Sequence, residues 1–211
     1  MDIGIKIVEW IPPRMDQIKI NFDGGYSPEF DRAVRSGIFR RSDGSVLFAF
    51  AEIMPPHTTS YYGEVMALRR CIEIALVMKL MRGCDKIWIE GDAKFLVETV
   101  NGVRFDDRYD MGGVTIIQAV GALFESCDIT FVHREANEAA DELCHVARRE
   151  LKNCYWYGEA NLPKKVVEII ERERKGCAYV RCYKTCPPRF RRKAAATAPL
   201  LVGSWQSVSS I

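Results

Sequence analysis

The stretch Lys19-Ile20-Asn21-Phe22-Asp23-Gly24-Gly25 limits what this chain can become more than any other. Ile18, Ile20 and Phe22 alternate with Lys19, Asn21 and Asp23, which is the period of a strand. One face is apolar and must be covered. The other is polar and ends in a carboxylate. The two glycines that follow predict a turn whose bare backbone lets a ligand approach Asp23.

The rest of the chain supplies what covers that strand. Residues 1–16 hold Pro12-Pro13 and no clear period, and read as a lead-in. Residues 17–23 are the first strand, 24–31 a loop and 33–41 a second strand. Ser42-Asp43-Gly44-Ser45 predicts a turn into a third strand at 46–53. Pro55-Pro56 breaks the chain, and Thr58-Thr59-Ser60 offers caps for a helix over 61–82. Val65, Leu68, Ile72, Ala75, Leu76 and Leu80 recur there at helical spacing and are expected to face a sheet. Gly83 ends that helix.

A strand at 86–90 closes on Gly91-Asp92. Helices at 93–100 and 114–125 flank a polar loop at 101–113. A strand at 129–133 precedes a helix over 137–151, with Asn137 as its cap. The order β-β-β-α-β-α-α-β-α implies three antiparallel strands and two more parallel to the first, reached through helical crossovers. That is an α/β sheet flanked by helices and complete by about residue 150. Asp23 and Asp92 fall at the carboxyl ends of parallel strands, where such sheets place their sites.

Four carboxylates sit at element ends on one edge of that sheet: Asp23, Glu64, Asp92 and Asp141. Singly, each has a local explanation. Glu64 and Asp141 suit helix N-termini, Asp92 could cap a helix, and Asp23 could steady its own turn. Together they would repel one another unless cations lay among them. Hard oxygen ligands of this kind suit Mg²⁺ or Mn²⁺ rather than zinc. Two such ions form the clamp used for phosphodiester cleavage.

These residues carry a resemblance. Ile20-Asn21-Phe22-Asp23-Gly24, Gly63-Glu64-Val65-Met66-Ala67-Leu68, Ile89-Glu90-Gly91-Asp92-Ala93-Lys94 and His133-Arg134-Glu135-Ala136-Asn137-Glu138-Ala139-Ala140-Asp141-Glu142-Leu143 resemble a type 1 ribonuclease H domain. Within that family they look most like the plant reverse-transcriptase-like, retroelement-derived branch. The resemblance covers residues 17–150 and implies a five-stranded mixed sheet. It implies a metal-dependent endonuclease, a hydrolase that cuts the RNA strand of RNA/DNA hybrids with two Mg²⁺ ions, Mn²⁺ being a possible substitute. In that pattern Asp23 bridges both ions, Asp141 holds the ion that activates water, and Glu64 and Asp92 hold the ion at the leaving 3′-oxygen. Backbone at Gly24 and Gly25 would meet ribose 2′-hydroxyls.

The chain also departs from the family. The loop before Asp141 is short, and His133 sits at a strand end, which suits a structural role. Arg134 or Glu135 could take part in its place. The basic handle that some relatives use to grip hybrid is missing: Arg104 and Arg108 face Asp106, Asp107 and Asp110 in the loop at 101–113. The alternative reading is a catalytically weak or inactive module that binds nucleic acid or protein.

Charge divides the chain. Residues 1–150 hold 18 Lys and Arg against 24 Asp and Glu, a balance of −6, and residues 151–211 hold 12 against 4, a balance of +8. The basic tail either reaches a polyanion or is simply solvated. It contains the aromatic cluster Tyr155-Trp156-Tyr157, which could stack on bases but is expected to pack on the last helix, and a short helix over 162–175. Cys177, Cys182 and Cys186 are too raggedly spaced for zinc. The run Arg189-Phe190-Arg191-Arg192-Lys193 could touch phosphate, act as a nuclear address, or be solvated, and 194–211 reads as disordered. No apolar run nears the roughly 20 residues that span a bilayer, and no secretory leader is visible. We therefore expect a monomer in the nucleus or cytoplasm with its eight cysteines reduced.

Overall fold

A computed structural model of the protein describes residues 3–29, 31–56, 59–105 and 110–184. It has eight strands and five helices in these ranges: β1 Ile3–Val8, β2 Ile18–Ser27, β3 Arg32–Arg40, β4 Val46–Pro56, α1 Ser60–Arg82, β5 Lys86–Gly91, α2 Lys94–Val100, α3 Met111–Gly121, β6 Ser126–Phe131, α4 Glu138–Glu150, β7 Cys154–Tyr157, α5 Lys164–Arg174 and β8 Tyr179–Lys184. A single 3₁₀ turn, Arg134–Ala136, leads into α4. The chain divides into two compact units, Ile7–Arg181 and a small one of Met1–Lys6 with Cys182–Ile211.

Six strands form one mixed sheet in the order β6-β5-β2-β3-β4-β7, and β1 and β8 form a separate two-stranded sheet. β2 runs parallel to β5, and β5 to β6. β2-β3, β3-β4 and β4-β7 are antiparallel. The fold class and the parallel crossovers follow the sequence reading, with one strand more. β7 is the addition: the aromatic cluster does not simply pack on a helix but joins the sheet edge. Its Tyr155 and Tyr157 rings lie 6.5 and 5.2 Å from Phe48. Four residues are too few to show a period, so pairing with β4 decides their conformation.

Each face of the sheet is covered by helices, as two-sided burial requires. On one side Ile20, Phe22, Phe50 and Ile89 pack against Leu68 and Ile72 of α1, with Leu96 of α2 and Ile117 of α3. On the other, Val34, Ile38 and Ala49 pack against Leu143 of α4 and Val166, Ile169 and Ile170 of α5. The fold therefore does not close at residue 150. α5 docks on the core, and Glu173 forms a buried ion pair with Arg40.

Local details depart from expectation for physical reasons. The lead-in contains β1. β2 does not turn at Gly24-Gly25 but continues to Ser27, pairing Gly24 with Arg35 and Gly25 with Val34. α1 is capped by Thr59, whose hydroxyl accepts from the Tyr62 amide, and ends at Gly83 in the left-handed region. Of its expected inner face, Val65, Leu68, Ile72 and Ala75 are buried, but Leu80 is 78% exposed, and it is Lys79 beside it that turns inward over the Phe124 ring. α3 starts at Met111, because Asp110 accepts from the Gly112 and Gly113 amides and so caps the helix earlier. Thr58, Asp106, Asp107, Arg108, Cys186, the basic run at 189–193 and the segment 194–211 lie outside the described residues.

Breaking a buried ion pair by removing one partner costs about 3–5 kcal/mol. Glu173→Leu strands the Arg40 guanidinium, and urea unfolding should show a loss of that order. A loss below about 1 kcal/mol would mean that α5 is not integral to the fold.

Candidate active site

The polar face of β2 carries Lys19, Asn21 and Asp23. Lys19 and Asn21 are fully buried. Lys19 pairs with Glu90 at 2.8 Å and lies 3.8 Å from the Trp88 ring centroid. Burial pulls the Lys19 ammonium down to about 8, against the opposing pull of Glu90. Asp23, four residues on from Lys19, is partly buried beside α4, whose Cys144 bonds its backbone carbonyl.

Asp23, Asp92 and Asp141 gather there. Burial, then the nearby charge of Asp92, push the Asp23 carboxyl up to about 7, and Asp141 adds to the push. Burial raises Asp92 above the usual carboxylate range, and Asp141 again adds. Asp92 follows the end of β5, and Asp141 lies in the first turn of α4. Glu64 enters through its backbone. The start of α1 lies so close to β2 that a Cβ at Gly24 would stand 2.5 Å from the Glu64 amide nitrogen. That close approach, rather than a turn, explains glycine at 24. A Cβ at Gly25 would strike the Arg148 guanidinium. Among the described residues, no group of three or more His, Cys, Asp or Glu stands close enough together to hold a metal ion.

Several neighbours escaped the sequence reading. Asn137 stands at the helix-cap position yet makes no capping bond with its side chain. It donates instead to the Phe22 carbonyl at 2.9 Å and to Asp92 Oδ1 at 3.2 Å. Arg134, one of two residues noted as possible participants, donates to Asp141 Oδ1 at 2.6 Å. Its side chain is 65% exposed and that of Asp141 18%. The carboxylates of Asp141, then Asp23 and Asp92, raise the Arg134 guanidinium further. Arg148 lies two helical turns beyond Asp141, and its charge opposes the rise at Asp23. That spacing of seven is the one sequence signal that could have found it. Buried Cys144 donates to the Asp23 carbonyl at 3.4 Å. His133 packs edge-on to Phe131.

Other cations at the flank of the site are paired: Arg172 with Glu138, Lys165 with Glu142 and Arg181 with Glu135. Arg104, from the loop read as lacking a basic handle, stacks on Phe95 and pairs with Glu98.

Residues 21–147 match the reverse transcriptase-like family. Three solved structures share the fold. RNase H1 from the halophilic archaeon Halobacterium salinarum is 22% identical with a TM-score of 0.57, over 64% of this chain and 98% of that one. LC11-RNase H1 isolated from compost is 21% identical with a TM-score of 0.58, over 65% and 99%. LC11-RNase H1 in complex with RNA/DNA hybrid is 20% identical with a TM-score of 0.56, over 64% and 98%. A comparison with curated proteins finds no match. No helix among the described residues is long and apolar enough to cross a membrane.

The raised Asp23 carboxyl sets a pH dependence. Between about pH 4 and 7 the metal-free native state holds a proton that the unfolded state has released, so stability falls as pH rises through that window. Asp23→Asn removes this cost. In chelating buffer at pH 8 its melting midpoint should exceed that of the wild type by about 3–6 °C, and the two should converge near pH 4. A wild type whose midpoint is flat from pH 4 to 8 would contradict the site's electrostatics.

Proposed function

We propose, for a chain that belongs to the reverse transcriptase-like family and has a ribonuclease H fold, that it is a metal-dependent endonuclease acting on the RNA strand of RNA/DNA hybrids. The observation that carries this reading is the convergence of the three aspartates: Asn137 bonds both Asp92 and the Phe22 carbonyl just before Asp23, and Arg134 bonds Asp141, beside the start of the helix that bears Glu64. Carboxylates kept this close without a use would lower stability. A neighbour of the same fold in complex with a hybrid supports the substrate class.

The donor set fits hard divalent ions: it is all oxygen, and a positive group, Arg134, is already drawn to Asp141. Asp23, Glu64, Asp92 and Asp141 are the residues that would hold them. Bound there, two Mg²⁺ ions, or Mn²⁺ in their place, supply an acidified water and a counter-charge for the leaving 3′-oxygen. The chain's own groups prepare the place. Asn137 holds one oxygen of Asp92 in a fixed direction. The exposed Arg134 is free to swing off Asp141 and meet a phosphate of the substrate. The β2 backbone at Gly24 and Gly25, next to Asp23, is where the 2′-hydroxyls would distinguish RNA from DNA.

A second reading, a module that binds nucleic acid without cutting it, is favoured by one observation. Arg134 pairs with Asp141 while no three ligands stand at metal-holding distance among the described residues.

An end-labelled RNA strand in a hybrid duplex separates the two. Wild type with Mg²⁺ or Mn²⁺ should leave 3′-hydroxyl and 5′-phosphate ends. Asp23→Asn should be slower by roughly 1,000-fold, about 4 kcal/mol of transition-state stabilisation. Equal cleavage by both, or none from folded wild type, would overturn the enzymatic reading.

A further inference from the structure

The fixed direction of Asn137 has a cause well away from the carboxylates. Asn21 Oδ1 accepts from two groups that can only donate: the Trp10 indole at 3.1 Å and Arg40 Nη2 at 2.8 Å. An amide whose oxygen is claimed in this way must turn its nitrogen the other way. Asn21 Nδ2 therefore faces Asn137 and meets its Oδ1 at 3.2 Å, and Asn21 also donates to Glu90. Asn137, with its oxygen committed in turn, must point its own nitrogen at the Phe22 carbonyl and Asp92 Oδ1. Asn21, Asn137, Arg40 and Trp10 are all buried, at 4% exposure or less, so water is not available to replace a missing partner.

We propose that Asn21 is a positioning residue: with Trp10 and Arg40 it sets the orientation of the Asn137 amide, and through it the carboxylate of Asp92. This rests on the metal-holding role of Asp92 given above. Arg40 is itself held by Glu173 of α5 and lies 4.0 Å from the Trp10 ring centroid. Two residues that control the site, Trp10 and Glu173, thus lie outside residues 21–147, which carry the family match. Reversing the Asn137 amide would set its oxygen against the Asp92 carboxylate, and reversing that of Asn21 would set its oxygen against Asn137 Oδ1, an uncompensated repulsion in a buried place in either case.

The test uses Asn21→Leu, which keeps the branching of the side chain but has no amide, and Trp10→Phe, which deletes one N–H and keeps a ring over Arg40. Two readouts are taken on the full chain: the side-chain NH₂ resonances of Asn137 in the metal-free protein, and Mn²⁺ affinity by calorimetry. Groups that orient metal ligands are worth about 10–100-fold in affinity. In folded Asn21→Leu the Asn137 resonances should shift and Mn²⁺ should bind about tenfold more weakly, with the Arg134–Asp141 pair untouched. If both readouts match the wild type, the proposal is wrong and Asn21 only fills space. Should Asn21→Leu not fold, Trp10→Phe decides: displaced Asn137 resonances support the relay, and unmoved ones overturn it. Should the wild type bind no Mn²⁺, the metal reading fails by itself, and the metal-free resonances still judge the relay.

Discussion

A strand with Lys19, Asn21 and Asp23 on one face cannot be buried by apolar cover alone. Each polar group needs a partner once water is gone, and much of the architecture on that face can be traced to providing one. Lys19 takes Glu90 from the neighbouring parallel strand and the Trp88 ring. Asn21 takes Trp10 from the N-terminal segment and Arg40 from β3. Arg40 then needs a counter-charge, which α5 brings as Glu173. Asp23 is set against the carboxylates Asp92 and Asp141 and feels the charges of Arg148 and Arg134 through space. The strand thus passes from paired polar groups to crowded carboxylates within five residues, and the crowding falls where Asp23 is only partly buried and a cation could answer it.

Much of this was legible. Alternation in β2, the inner stripe of α1 and the turn at Gly44 are local signals, and local signals dominate where an element's two faces differ sharply. Glu64, Asp92 and Asp141 stand near element ends that the pattern marks, whereas Asp23 lies inside β2, which runs on to Ser27. Other features depended on partners remote in sequence. The segment 1–16 reads as having no clear period, and its strand β1 depends on a partner far along the chain, β8. Gly24 and Gly25 look like a turn by every local rule, but Gly63-Glu64 and Arg148 press on them from other elements and make glycine necessary inside a strand. Asn137 looks like a cap, and the Phe22 carbonyl and Asp92 outcompete the helix for its amide. The pairing of Arg134 with Asp141 likewise needs the 3₁₀ turn, which no periodicity marks.

The same contrast separates the two sides of the sheet. The side covered by α1, α2 and α3 is a hydrocarbon interior whose residues can exchange size and shape within limits. The side covered by α4 and α5 mixes a smaller apolar cluster with the charged line through β2. Specificity of arrangement resides in the second side, where a donor misplaced by one position leaves another group stranded.

The ion pair between Arg40 and Glu173 bears on how such a unit can be inherited. A segment that passes between genomes as a cassette must take along every group its interior charges require. Here the set of mutually dependent residues is longer than the stretch that carries the family likeness, reaching from Trp10 to Glu173. Recombination that joined residues 21–147 to foreign flanks would deliver a sheet with a guanidinium sealed inside and nothing to neutralise it. Lineages keeping this arrangement should therefore exchange it whole, and the flanks should drift together rather than apart.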